Sequence, residues 1–315
     1  MRAAVVDRYG PPDVAVLRDL PRPEPRPDEV LVRVAAAAVT SGDARIRAAR
    51  FPRGFAPLAR PALGLRGPRR RVLGTSFSGV VESVGADVTT ASPGDEVCGM
   101  TGARMGAHAE HLAVAARRAV PKPPQVSHED AAGVVFGGTT ALWFLRDRAA
   151  LRAGESVLVI GASGAVGSSA VQLARHFGAT VTGVTSARNA ALVQSLGAER
   201  IIDHTRTDLA EVPDRFDVVL DTVGVLTGST GRRLLTDGGR LLLAVADLRD
   251  TVLARGAVAA GAAPERAEDI ELLLGLVAEG ALRVVIDEVL DLDQIAQAHR
   301  RVDSGRKVGN ILVRP

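Results

Sequence analysis

Cysteine occurs once in this 315-residue sequence, at Cys98. A lone thiol excludes an internal disulfide and any zinc site built from several cysteines, and it suits a reducing compartment, so a cytoplasmic location is expected. Aromatic residues make up 3% of the chain, with one Trp and one Tyr. That leaves little to stack on bases, so nucleic acid is not expected as a partner. The one dense basic run, "RGPRRRVLG" (66–74), is then read as a solvated loop, with an RNA or phosphate contact as the competing reading. No apolar run reaches the ~18–20 residues that span a bilayer, so no membrane partner is expected. The first residues, "MRAAVVDRYGPPD", lack the apolar stretch of a signal peptide. The net charge is +3, and the sequence pI of about 9.7 reflects arginine standing in for lysine more than a large excess of base.

The composition that remains, 46% apolar and 24% charged, is that of a globular protein, and the length suits two domains. The first third is rich in Pro and Gly between short β-like runs: "RAAVV" (2–6), "EVLVRVAAAAV" (29–39), "FSGVVESVG" (77–85) and "DEVCGM" (95–100). Such spacing predicts an irregular, largely antiparallel, barrel-like domain. Ser127 and Asp130 resemble a capping box that opens a helical run over 127–149. From 156 onward strand and helix patterns alternate, and the strands are continuously apolar, as in a parallel sheet covered on both faces. "GRRLLTDGG" (231–239) reads as a helix and turn, "AEDIELLLGLVAEG" (267–280) as a helix, and "KVGNILV" (307–313) as the closing strand.

Within the α/β part, "VLVIGASGAVG" (157–167) places Gly161, Gly164 and Gly167 between a strand and a helix. Glycines there allow a tight turn and a close backbone approach, and the helix N-terminus offers free N–H groups to a pyrophosphate. An NAD site would put Asp or Glu at the end of the next strand to hold the ribose hydroxyls. Here "TVTGVTSARN" (180–189) ends in Ser186 and Arg188 instead. A carboxylate would repel an adenosine 2′-phosphate, whereas a guanidinium and a hydroxyl would bind it, so NADPH is the expected cofactor. The competing reading makes Ser186 a helix cap and Arg188 a surface residue.

Together the start "MRAAVVDRYGPPDVAVLRDLPRPEPRPDEVLVRVAAAAV", "VLGTSFSGVVESVG", "SPGDEVCGM", "GAHAEHLAV", "GGTTALWFL", "GASGAVGSSAVQLARHFGA" and "HRRVDSGRKVGNILV" resemble the zinc-free branch of the medium-chain dehydrogenase/reductase superfamily, the quinone oxidoreductase and zeta-crystallin type. The resemblance implies an α/β fold: a GroES-like β-barrel-type catalytic domain (1–124), a Rossmann doubly wound parallel sheet that binds NADP (125–264), and a C-terminal segment (265–315) returning to the catalytic domain. It also implies a homodimer. Cofactor contacts implied by the match are Thr140, the loop Gly161, Ser163, Gly164, Ala165, Val166 and Gly167, then Ser186, Arg188 and His204. Val225 and the stretch Ala244, Val245, Ala246 are expected beside the nicotinamide ribose or amide, and Asn310 near the cofactor, with a strand-edge residue as its competing reading.

Zinc-dependent relatives need a Cys near "VTSGD" and a His-Glu pair near "GTSFSG"; this chain has Thr40 or Ser41 and Ser76 or Phe77 there, so no metal is expected. His108, Glu110 and His111 in "HAEH" are read as barrel-strand polar residues, and Cys98 as a small buried residue. Without a Lewis acid, suitable acceptors are already electrophilic: quinones, or alkenes conjugated to a carbonyl. By the family match Thr40 and Arg45 are the candidate catalytic residues, the first to hydrogen-bond the substrate or nicotinamide and the second to stabilise an oxyanion or reach a cofactor phosphate. A non-catalytic NADPH-binding structural or regulatory protein is the alternative function.

Overall fold

The structure is a computed structural model that describes all 315 residues. Two sheets carry it. One has seven strands in the order Ile286–Asp291, Asn310–Arg314, Glu29–Ala38, Ser76–Val84, Glu96–Met100 and Val120–Pro121, with His111–Ala115 added onto Glu29–Ala38. All its pairings are antiparallel except that of Ile286–Asp291 with Asn310–Arg314. The long strand Glu29–Ala38 is the hub, since three others pair with it.

The second sheet has six parallel strands. In space they run Arg200–Asp203, Thr180–Thr185, Ser156–Ile160, Phe216–Asp221, Leu235–Leu243, Val258–Ala260. Numbered along the chain this is the doubly wound order 3-2-1-4-5-6, which reverses direction between its first and fourth strands and leaves a crevice at their carboxyl ends. The apolar runs become strands because both faces are covered. Val157, Val159, Val218, Leu220 and Leu242 pack into one core, while Leu158, Ile160, Val219, Leu241 and Leu243 pack into another on the opposite face. The alternation follows directly from the two-residue strand period.

Ser127 caps the helix His128–Leu142, its hydroxyl accepting the Asp130 N–H at 3.0 Å. The helical run then continues as a π-turn, Trp143–Arg148. A Cβ at Gly137 would lie 2.5 Å from the Ala165 carbonyl, so glycine there lets this helix close onto the helix Ala165–His176. Two expectations shift. The region 231–239 is not a helix and turn: a short helix, Gly228–Arg232, gives way to the strand Leu235–Leu243, whose register slips between Phe216 and Val218. The segment from 265 also does not return at once to the first domain. Helix Ala267–Ala278 buries Ile270, Leu273, Leu274 and Leu276 in the core of the parallel sheet, so the crossing begins at Ile286.

The returning chain also meets the glycine loop. Gly309 forms a parallel bridge to Gly164 and donates its N–H to the Ser163 carbonyl at 2.8 Å. Its φ of +67° and a Val285 carbonyl that would stand 2.0 Å from any Cβ require glycine.

In the loop itself a Cβ on Gly167 would lie 2.1 Å from the Gly161 carbonyl, whereas on Gly164 the nearest atom of the protein would be 3.4 Å away. Gly167→Ala should therefore cost about 1–3 kcal/mol through overpacking, while Gly164→Ala should melt like the parent. Thermal unfolding of the pair checks this, and equal losses would show that the two glycines serve the same purpose. A second prediction concerns His299, which is 1% exposed with neither ring nitrogen bonded. Burial first, then the neighbouring His108 and Arg47, push its pKa down to about 2. An unfolded histidine takes up a proton near pH 6.5. Below that pH the unfolded chain binds a proton that the folded chain refuses, so stability is full above it and falls with acidification by up to about 1.4 kcal/mol per pH unit. His299→Leu should flatten the melting temperature between pH 6 and pH 4; an unchanged slope would remove His299 as the acid-sensitive group.

Candidate functional site

A cleft of about 1330 Å³ lies at the carboxyl ends of the parallel strands, where their order reverses. It exceeds the usual ~300–1,000 Å³ of a single small-ligand pocket. Ile160, Val184, Thr185 and Thr222 line it where the strands end. The turn after Ser156–Ile160 is tight, with Gly161 at φ +78° and Val223 Cγ2 only 2.4 Å from where a Cβ would stand. Helix Ala165–His176 then opens with Gly164 at its N-cap and no side-chain cap, so its first N–H groups are left for a ligand. Ser163, Ala165 and Val166 line the cleft with Gly161 and Gly164. Gly167 does not; its role is the close packing described above.

The second strand delivers Thr185, Ser186 and Arg188 to the cleft. Ser186 occupies the cap position of the turn Ala187–Asn189, yet its hydroxyl makes no cap bond and is free for a ligand. Arg188 is exposed, pairs with no carboxylate, and touches only the Arg306 carbonyl, at 3.3 Å. His204 follows Arg200–Asp203 and lines the cleft, its N–H held by the Thr185 carbonyl at 3.3 Å.

Charge is the most lopsided property of the site. Arg45, Arg188, Arg206, Arg215, Arg233, Arg306 and Lys307 line it against a single carboxylate, Asp208, in a chain whose net charge is only +3. Asp208 is already spent on the Ala210 N–H at 2.9 Å. None of Arg45, Arg188, Arg233 and Arg306 has an ion-pair partner. Arg306 and Lys307 come from the segment that precedes the last strand. The Lys307 ammonium donates to the Gly309 carbonyl at 2.5 Å, and burial, partly offset by Asp287, pulls its pKa down to about 8.

At the other end, helix Ser41–Ala48 brings Thr40 and Arg45. The Thr40 hydroxyl donates to Asp43 Oδ2 at 2.6 Å and accepts the Asp43 N–H at 3.2 Å. The Thr40 proton is thus committed to a capping box, while the hydroxyl lines the cleft with one lone pair left to accept a hydrogen bond. Arg45 carries its charge into the cleft unpaired, with its pKa lowered by burial. Val223 and Val225, half exposed, form an apolar rim. Asn310 lines the cleft from the closing strand, its amide donating to the Val285 carbonyl at 3.0 Å.

Some expected residues lie off the cleft. Thr140 turns its hydroxyl back to the Phe136 carbonyl at 2.8 Å, and it is Phe136 that lines the cavity. Ala244, Val245 and Ala246 are displaced by the turn in front of them. The buried Asp221 carboxylate gathers the N–H groups of Val223, Gly224 and Leu226 at 2.7–2.9 Å and folds this turn against Val245. Residues the sequence reading passed over are Asn189, Arg215, Arg233, Arg306 and Lys307. Only "SGRKVGN" (304–310) held a readable signal, two cations between glycines.

No group of three or more His, Cys, Asp or Glu side chains is assembled to hold a metal ion. His108 turns to the Ala38 carbonyl, Glu110 to Arg2 and His111 to Glu82, three separate destinations. Cys98 is buried, and burial raises its thiol pKa to about 12. No helix is long and apolar enough to cross a membrane.

Comparison with known proteins agrees with this geometry. Residues 26–124 match the family described as alcohol dehydrogenase GroES-like domain, and residues 196–313 that described as zinc-binding dehydrogenase. The chain is 31% identical over 330 residues to the quinone oxidoreductase of Pseudomonas aeruginosa, covering 98% of this chain and 97% of that protein. It is 33% identical over 252 residues to an NADPH-dependent alkenal/one oxidoreductase of Arabidopsis thaliana, covering 77% of this chain and 62% of the relative. The solved quinone oxidoreductase of Coxiella burnetii superposes with a TM-score of 0.89 at 29% identity, covering 100% of this chain and 99% of that one. With a doubly wound sheet, a glycine loop and an antiparallel partner domain matched along their whole length, the chain belongs to the quinone oxidoreductase type of the medium-chain dehydrogenase/reductase superfamily and is an oxidoreductase.

Proposed function

We propose that this protein is an NADPH-dependent reductase that transfers hydride to a quinone or an α,β-unsaturated carbonyl without zinc. The observation that carries the reading is the pair of guanidinium groups gathered where the second parallel strand ends, Arg188 and Arg306, neither of them in an ion pair with a carboxylate. That charge suits an adenosine 2′-phosphate and would be a needless repulsion beside a plain ribose. The Arabidopsis relative named for NADPH and alkenals supports the same choice.

The residues present fit the cofactor. The uncapped helix start and Gly164, whose cleft side is bare, would cradle the pyrophosphate. Ser186, Arg188, Arg306 and His204 would surround the 2′-phosphate, and Val223, Val225 and Asn310 would border the nicotinamide end. When bound, NADPH supplies the hydride to an acceptor that is already electrophilic. Arg45 sets an unpaired positive charge where negative charge would grow on the acceptor oxygen. Thr40 and Asp43 hold the start of the Arg45 helix, Asp43 also accepting the Gly74 N–H at 3.0 Å. The lone buried thiol supports a cytoplasmic location, and the free outer edge of the strand Val258–Ala260 supports a homodimer.

NADPH oxidation in the presence of a broad panel of quinones and enones should reveal turnover; tight binding with none across the panel would favour a non-catalytic role. Arg188→Ala should weaken NADPH at least about tenfold more than NADH, a difference of about 1.4 kcal/mol. Equal weakening of both would show that Arg188 does not read the extra phosphate. Arg45→Ala should lower kcat about 10–100-fold with little change in NADPH affinity, and an unaltered kcat would exclude it from the chemistry.

A further inference from the structure

Ser163 is the only residue of the loop Gly161–Gly164 with a side-chain hydroxyl. Its Oγ accepts a hydrogen bond from Thr185 Oγ1 at 3.0 Å and another from Asn189 Nδ2 at 3.1 Å. A serine oxygen has two lone pairs and one proton. Both lone pairs are therefore taken, and no group of the protein receives the proton. Ser163 lines the cleft and is half buried, so the proton has only the cleft to serve.

The two donors forgo other uses. Asn189 stands at the N-cap of helix Ala190–Ser195, where an Asn side chain ordinarily bonds the helix's own N–H groups, but it makes no cap bond there. Thr185 ends the strand Thr180–Thr185, is 3% exposed, and gives its proton to Ser163 rather than to a backbone carbonyl. Accepting two hydrogen bonds also polarises the Ser163 O–H and makes it a better donor.

We infer that Thr185 and Asn189 are positioning residues that hold the Ser163 hydroxyl as a donor to an anionic phosphate oxygen of the dinucleotide. This rests on the dinucleotide reading above. It also joins the turn carrying Ser186 and Arg188 to the glycine loop, so the two phosphate-facing segments share one hydrogen-bond network.

The test is a double-mutant cycle on the full chain, with NADPH and NADH dissociation constants as the readout. Ser163→Ala should weaken both nucleotides about tenfold, the size of one lost hydrogen bond to a charged group. Thr185→Val and Asn189→Ala should each weaken them about three- to tenfold in the parent but less than about twofold on top of Ser163→Ala, since interacting residues are not additive. Thr185→Ser, which keeps the donor, should stay within about twofold of the parent and serves as the folding control. Losses that are the same with and without Ser163, or no losses at all, would overturn the relay. A parent that binds NADH as well as NADPH would remove the 2′-phosphate reading and leave the cycle, run with NADH, to decide the relay. A parent that binds neither removes both.

Discussion

Uncompensated positive charge in a concave site is the constraint around which this molecule is arranged. Like charges repel, and a cleft bounded by protein screens them less than open water does. About half of the cations elsewhere on the chain have carboxylate partners: Arg47 is buried against Asp303 and the Gly10 carbonyl, and Arg146, Asp147, Arg266 and Asp269 form a network. Arg45, Arg188, Arg233 and Arg306 do not. The cost is bearable because the rigid parallel sheet, not the charges, sets the shape of the crevice. The same sheet leaves helix N–H groups and the Ser163 hydroxyl without acceptors, so unmet donors and unmet charge point at one anionic occupant.

Much of this was legible in the residues. The continuous apolar runs 156–160 and 216–221 announced strands buried on both faces, and the side chains do alternate between two cores. Glycine spacing marked the loop, and the missing carboxylate after the second strand drew attention to Arg188, which does line the cleft. What could not be read was anything set by contacts distant in sequence. Arg306 and Lys307 reach the site only because Gly309 bridges to Gly164, some 145 residues earlier in the chain. The resemblance implies a contact at Thr140, but a helix lets a threonine satisfy itself on the carbonyl four residues back. The stretch 244–246 was judged by its place after a strand, and a buried aspartate folded another turn in front of it. The resemblance puts the helix Ala267–Ala278 in the C-terminal segment, yet its apolar stripe packs with the strands of the parallel sheet.

The two glycines Gly164 and Gly167 illustrate how one motif serves two ends. One permits helix and strand to touch, and the other keeps a surface bare. A pattern of identical letters does not distinguish them, but the atoms around each Cβ direction do.

The strand Asn310–Arg314 brings a consequence for how the molecule is made. It pairs with Ala37 and Ala38 of the first domain while the residue before it locks onto the glycine loop. The strands of the parallel sheet all lie before residue 261, and the helix Ala267–Ala278 completes its core, yet without the segment beyond 300 the crevice lacks Arg306, Lys307 and Asn310. A coenzyme-ready site therefore exists only once Asn310–Arg314 has docked on Ala37 and Ala38, so loading with nucleotide reports the joining of the two sheets.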